Sequence, residues 1–142
     1  TDVFFGQAMK WIESNKGKQP FYAHIATNAP HGPLQVRPED EARYTGKVPE
    51  RPAAKGKKAN SNDAAKFFGM IANIDDNVGR LLAKLSEWGI ERDTLVIFMN
   101  DNGGTVGVSI HNAGMRGSKG SPWLGGTRAS SLWRWPGTLK PA

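Results

Sequence analysis

Residues 94–104 read Thr-Leu-Val-Ile-Phe-Met-Asn-Asp-Asn-Gly-Gly. An apolar run stops abruptly in a polar, glycine-ended cluster, the pattern of a short strand that breaks into a turn. Leu95 to Met99 are apolar at consecutive positions rather than alternating, so the pattern predicts a strand buried on both faces, as in a parallel sheet.

Upstream lies the clearest helix. Phe67, Ile71, Ile74, Val78, Leu81, Leu82, Leu85 and Trp88 recur at three and four, one wide apolar stripe over about residues 64 to 88. Asn62 or Asp63 is placed to cap its start and Gly89 to stop it. Further upstream, Phe21 to Thr27 is a second short apolar run, ended by Asn28-Ala29-Pro30-His31-Gly32-Pro33, where two prolines and a glycine cannot continue a ladder. His24 within this run reads as a satisfied core residue. Strand, helix, strand is a βαβ unit, and its two strands are expected to be parallel with a right-handed crossover. Thr1-Asp2 begins an N-terminal helix that should end near Ser14 to Gly17, and Ala129 to Trp135 reads as one more short strand. Residues 34–62 carry Pro38, Pro49, Pro52 and a basic series of Lys47, Arg51, Lys55, Lys57 and Lys58, a long surface excursion.

The 142 residues suit one α/β domain, and 38% hydrophobic with 23% charged residues is enough to form a core. With no cysteine, the chain has no disulfide, thiolate metal site or cysteine nucleophile. No run of about 18 apolar residues is present to cross a membrane. The formal charge of +6 favours anionic partners without choosing among nucleic acid, acidic glycan and sulfated or phosphorylated small molecules.

In an open α/β sheet, ligands bind beyond the carboxyl ends of the strands. Two polar clusters have that address if the strands are parallel: Pro30-His31 and Asp101-Asn102-Gly103-Gly104. Asp101 and Asn102 offer hard oxygen ligands of the kind calcium or magnesium takes. Asn-Gly is equally a common turn dipeptide, and the four residues can simply close a hairpin. His31, stiffened by Pro30 and Pro33, can donate to an anion or move a proton, or can be an ordinary loop histidine. Lys119, set in Arg116-Gly117-Ser118-Lys119-Gly120, can present its ammonium to a phosphate or sulfate, although the glycine spacing is not that of a Walker-type loop.

Read together, these stretches resemble the type I sulfatases of the alkaline-phosphatase-like superfamily. The resemblance rests on Phe21 to Gln35 with its Asn28–Pro33 core, Ile74 to Leu82, the strand running into Asp101–Gly104, Arg116–Gly120, Trp123, Gly125–Arg128 and Arg134–Gly137. It spans essentially the whole chain, which then reads as residues 1–142 of a longer catalytic domain, a partial alkaline-phosphatase-like fold. The resemblance implies hydrolysis of a sulfate ester, arylsulfatase-like, with a formylglycine nucleophile made in a Cys/Ser-X-Pro-X-Arg motif. It implies Asp101 and Asn102 as calcium ligands and His31 and Lys119 as groups on the sulfate or the leaving oxygen. The partner it implies is a sulfated small molecule or glycan, neither nucleic acid nor membrane; a periplasmic or extracellular setting fits many bacterial members.

The departures are specific. The nucleophile motif is absent from these residues, Leu124 stands where many members carry glutamate, and Ala129-Ser130 replaces an apolar residue and proline. Asp75-Asp76 fall mid-helix and read as surface rather than ligands. The chain alone is therefore expected to be inactive, with an apolar sheet edge that favours self-association. The competing readings are a phosphoester hydrolase or phosphoglycerol transferase of the same superfamily, and a non-enzymatic domain that grips an anionic polymer.

Overall fold

The computed structural model of the chain describes residues 1–48 and 61–140, with 61 and 62 described for backbone only. Helix α1 spans Asp2–Asn15, α2 Pro38–Ala42 and α3 Ser61–Glu87; strand β1 spans Val96–Met99, α4 Leu124–Thr127 and β2 Ser131–Arg134. Short 3-10 turns lie at Glu91–Asp93 and Val106–Ser109. Most of the lysine-rich excursion, residues 49–60, falls outside the described residues. The part that is described holds α2, which the sequence pattern did not separate from loop; Pro38 starts it, a residue well suited to a first helical position.

The chain divides into two compact units. The first contains residues 1–29, 73–97 and 133–142, the second 30–72 and 98–132.

In the first unit, Phe5, Met9 and Ile12 of α1 pack with Leu81 and Leu85 of α3, and Phe21, Ala23, Ile25, Val78, Leu82, Trp88, Ile90 and Val96 close around them. Helix α3 stops as Gly89 predicts. Gly89 takes φ +71°, its N–H donates to Ser86 O at 2.9 Å, and Ile90 N–H reaches back to Leu85 O at 3.0 Å. That double bond pattern satisfies carbonyls the helix end leaves open, and Ile90 adds the apolar contact that accompanies it. A polar network sits beside the core. Asp2 Oδ1 accepts from Asn77 Nδ2 at 2.7 Å and Asn73 Nδ2 at 3.1 Å, while Arg80 donates to Asn77 Oδ1 at 3.0 Å.

The stripe expected on α3 is therefore only partly right. Ile71 is exposed, and Asn73 and Asn77 are buried, because polar partners on α1 make that burial tolerable. Asp75 and Asp76 are exposed as expected, Arg80 is exposed as well, and Lys84 is half-buried with its ammonium on Glu87.

The strand expectations need two corrections. Residues 21–28 pair with no other strand among the described residues, though Phe21, Ala23 and Ile25 alternate with exposed Tyr22, His24 and Ala26. One face of this run rests on the core and the other is open, with Tyr22 84% exposed. His24 is thus a surface residue, not a core one. The only sheet among the described residues pairs β1 with β2. Asn100, just past β1, donates its N–H to Ser130 O, just before β2, at 3.1 Å. The end of β1 therefore meets the start of β2, so this pair is antiparallel; a parallel pairing of residues 21–27 with 94–99 is not seen among the described residues. Along β1, too, burial alternates. Asp101–Gly104 does not close a hairpin, since β2 begins only at Ser131.

The second unit holds α2 against the N-terminal half of α3. A side chain at Gly69 would meet Asp40 O at 2.8 Å, so the two backbones touch there. Asp40 is itself buried, held by Arg37 Nε at 2.8 Å.

Replacing Asn77 with leucine keeps the bulk and removes both hydrogen-bonding ends, so Asp2 and Arg80 each lose their bond to it. Urea denaturation is expected to show a loss of about 1–3 kcal/mol; an unchanged midpoint would mean the network contributes nothing.

Candidate functional site

Asp101, Asn102, Lys119 and His31 all belong to the second unit. Two loops in it are joined backbone to backbone. Gly103 N–H donates to Gly126 O at 3.0 Å, and Lys119 N–H donates to Gly104 O at 3.0 Å. The Asp101–Gly104 loop and the Arg116–Ser121 loop are thereby neighbours, although 15 positions separate Gly104 from Lys119 in the chain.

The first bond needs glycine. A Cβ on Gly103 would run into Gly125 O, with Gly125 C at 2.7 Å and Gly126 Cα at 2.9 Å, all backbone. Gly103 is thus buried against other backbone, while Gly104 next to it is exposed.

The second loop is braced from within. Asn112 Nδ2 donates to Met115 O at 2.7 Å and Gly117 O at 2.8 Å, and Gly125 N–H donates to Arg116 O at 2.8 Å. The Arg116 guanidinium lies 3.8 Å from the centre of the Trp123 ring, a cation–π contact. Asn112 belongs to no motif in the sequence, and its position before the glycine-rich run is the signal it offers.

The four candidates then present as follows. Asp101 is exposed. Asn102 turns its amide nitrogen to Gly103 O at 2.8 Å, which leaves Oδ1 without a hydrogen bond among the described residues. A carboxylate and an amide oxygen side by side suit a hard cation, but they are at most part of a coordination shell. Among the described residues no three His, Asp or Glu side chains gather as a metal cluster. Lys119 is exposed and has no ion-pair partner among the described residues. His31 Nδ1 lies 2.7 Å from Gly32 O. A carbonyl only accepts, so Nδ1 carries the proton and Nε2 is the nitrogen left for a ligand. No hydrogen bond joins His31 to Asp101, Asn102 or Lys119 among the described residues.

A family model described as Sulfatase matches residues 1–142. The chain belongs to the sulfatase family. It is 30% identical, over 99% of its length, to a sulfatase of Formosa agariphila, and covers 26% of that protein. It is 40% identical to the steryl-sulfatase of Mus musculus over 79 residues, half of this chain and 13% of that one. The solved structure of Ps i-CgsB matches 96% of the chain at 31% identity with a TM-score of 0.78, the match covering 28% of that structure. The yidJ structure from Bacteroides fragilis, at 24% identity and a TM-score of 0.77, speaks to the fold alone. The sulfatase chain thus spans about a quarter of the length of the full-span relatives.

Gly103→Ala should destabilise the protein by about 1–3 kcal/mol or more, because the new methyl meets backbone that cannot move aside. Gly79→Ala is the control: it lies in α3 with nothing within 4 Å of a new Cβ, and should stabilise by about 1 kcal/mol through helix propensity. Urea melts of both variants check the contrast; equal effects would contradict the close contact at Gly103.

Proposed function

We propose that residues 1–142 form part of the catalytic domain of a sulfatase that hydrolyses a sulfate ester, with calcium as its metal. The observation that carries this reading is the pair of backbone bonds that set a carboxylate–amide donor pair beside a lysine loop. Asp101 and Asn102 would hold the cation, which when bound polarises the sulfuryl oxygens. Lys119 places a fixed positive charge where negative charge grows as the sulfur–oxygen bond breaks. His31, with Nδ1 engaged by Gly32 O, can hold a proton on Nε2 and give it to the departing alcohol oxygen.

The attacking oxygen comes from a formylglycine outside these residues, since no Cys/Ser-X-Pro-X-Arg motif is present. A parallel relation of residues 21–27 to residues 94–99 belongs to the same reading of a larger sheet. So does self-association of the isolated chain through exposed apolar residues such as Met99 and Leu132. A glycan is the favoured substrate class, supported by the structure of Ps i-CgsB in complex with k-i-k-neocarrahexaose.

In the intact enzyme, Lys119→Ala and His31→Ala should each lower kcat/KM for an aryl sulfate about 10²-fold or more with little change in stability. The isolated chain should give no turnover and bind calcium weakly by calorimetry. Near-normal activity in either variant would remove that residue from the site, and turnover by the isolated chain would contradict the assigned mechanism.

A further inference from the structure

Lys119 occupies one corner of a tight turn, and the residue that closes the turn has no role in the mechanism above. Ser121 N–H donates to Ser118 O at 3.0 Å, which defines a four-residue turn over 118–121. Gly120, the third residue, has φ +87°, while Lys119 is not among the residues with positive φ. Negative φ followed by positive φ is a type II turn, with Lys119 at its second position and glycine at the third as that turn demands.

The Ser121 hydroxyl doubles the closure. Oγ donates to Ser118 O at 2.8 Å and accepts from Ser118 N–H at 3.2 Å. The first and last residues of the turn are therefore held by three hydrogen bonds, two of them made by one side chain. Lys119 N–H, meanwhile, is held by Gly104 O at 3.0 Å. The backbone that launches the Lys119 side chain is fixed from both sides, toward Gly104 and toward Ser121.

We infer that Ser121 is a positioning residue for Lys119: its hydroxyl clasp sets the direction from which the ammonium reaches the transferring sulfate. The inference rests on the sulfatase reading above. Ser121 touches no reacting atom, and its contribution comes from orientation, since a small misplacement of a catalytic group is enough to lose most of its effect. Alanine at this position leaves the backbone bond of the turn and removes the two hydroxyl bonds. Threonine keeps the hydroxyl. Cysteine fills nearly the same space with a poor hydrogen-bonding group.

The test is a double-mutant cycle in the intact enzyme, with kcat and KM for an aryl sulfate and the affinity for inorganic sulfate by calorimetry. Ser121→Ala and Ser121→Cys should lower kcat about 10- to 10²-fold, and Ser121→Thr should restore most of it. In a Lys119→Ala background the same changes should cost less than about 2-fold, because a residue that acts through Lys119 has nothing left to orient. Sulfate affinity should follow the same pattern. Equal losses with and without Lys119, or no loss at all, would overturn the inference and leave Ser121 a structural residue. A wild-type enzyme that binds sulfate but gives no turnover would contradict the sulfatase reading, while the binding cycle would still decide the role of Ser121. A wild type that neither binds nor turns over would overturn both.

Discussion

The candidate site depends on bare backbone meeting bare backbone. Gly103 lies so close to Gly125 and Gly126 that no side chain fits, and the hydrogen bond from Gly103 to Gly126 forms across that contact. Side chains would hold two such loops apart by several ångströms. Glycines let them touch, at the entropic cost glycine carries in the unfolded chain. The nearness of the Asp101–Gly104 and Arg116–Ser121 loops follows from that closeness. Asp101 and Asn102 stand at the near end of one loop, and Lys119 is hydrogen-bonded to Gly104, two residues beyond Asn102.

The first unit is built on different terms. Its core is an ordinary apolar cluster of α1 and α3, and its less ordinary feature is the buried amide of Asn77, 1% exposed and bonded at both ends. Burial of such a group is tolerable only when partners are in place, and the pairing of Asp2 with Asn73 and Asn77 ties α1 to α3 beside the apolar core. Its β1 residue Val96 joins that core, while Ile97 next to it faces outward.

Much of this was legible in the residues. The helix stop at Gly89, the end of α1 near Gly17, the strand before Asn100 and the strand within 129–135 all follow from local signals whose physics is local. The sheet arrangement was not. Leu95 to Met99 reads as buried on both faces, yet Ile97 and Met99 are open among the described residues, and pairing depends on partners far away in sequence. The burial of Asn73 and Asn77 in place of Ile71 was equally hidden, since it is Asp2, over seventy residues upstream, that makes it favourable. Among candidate residues, Asp101, Asn102, Lys119 and His31 stand out by residue type and by family resemblance. Asn112 and Ser121 do not, because a polar residue that braces a loop looks like any polar residue until its hydrogen bonds are drawn.

The most direct measurement of the account is a crystal structure of the intact sulfatase grown with calcium and soaked with sulfate. The account predicts one cation with the Asp101 carboxylate and Asn102 Oδ1 both at about 2.3–2.6 Å. It also predicts the Lys119 ammonium within about 3 Å of an oxygen of the sulfate on that cation. A cation held without either residue, or a Lys119 side chain directed away from the bound sulfate, would contradict it.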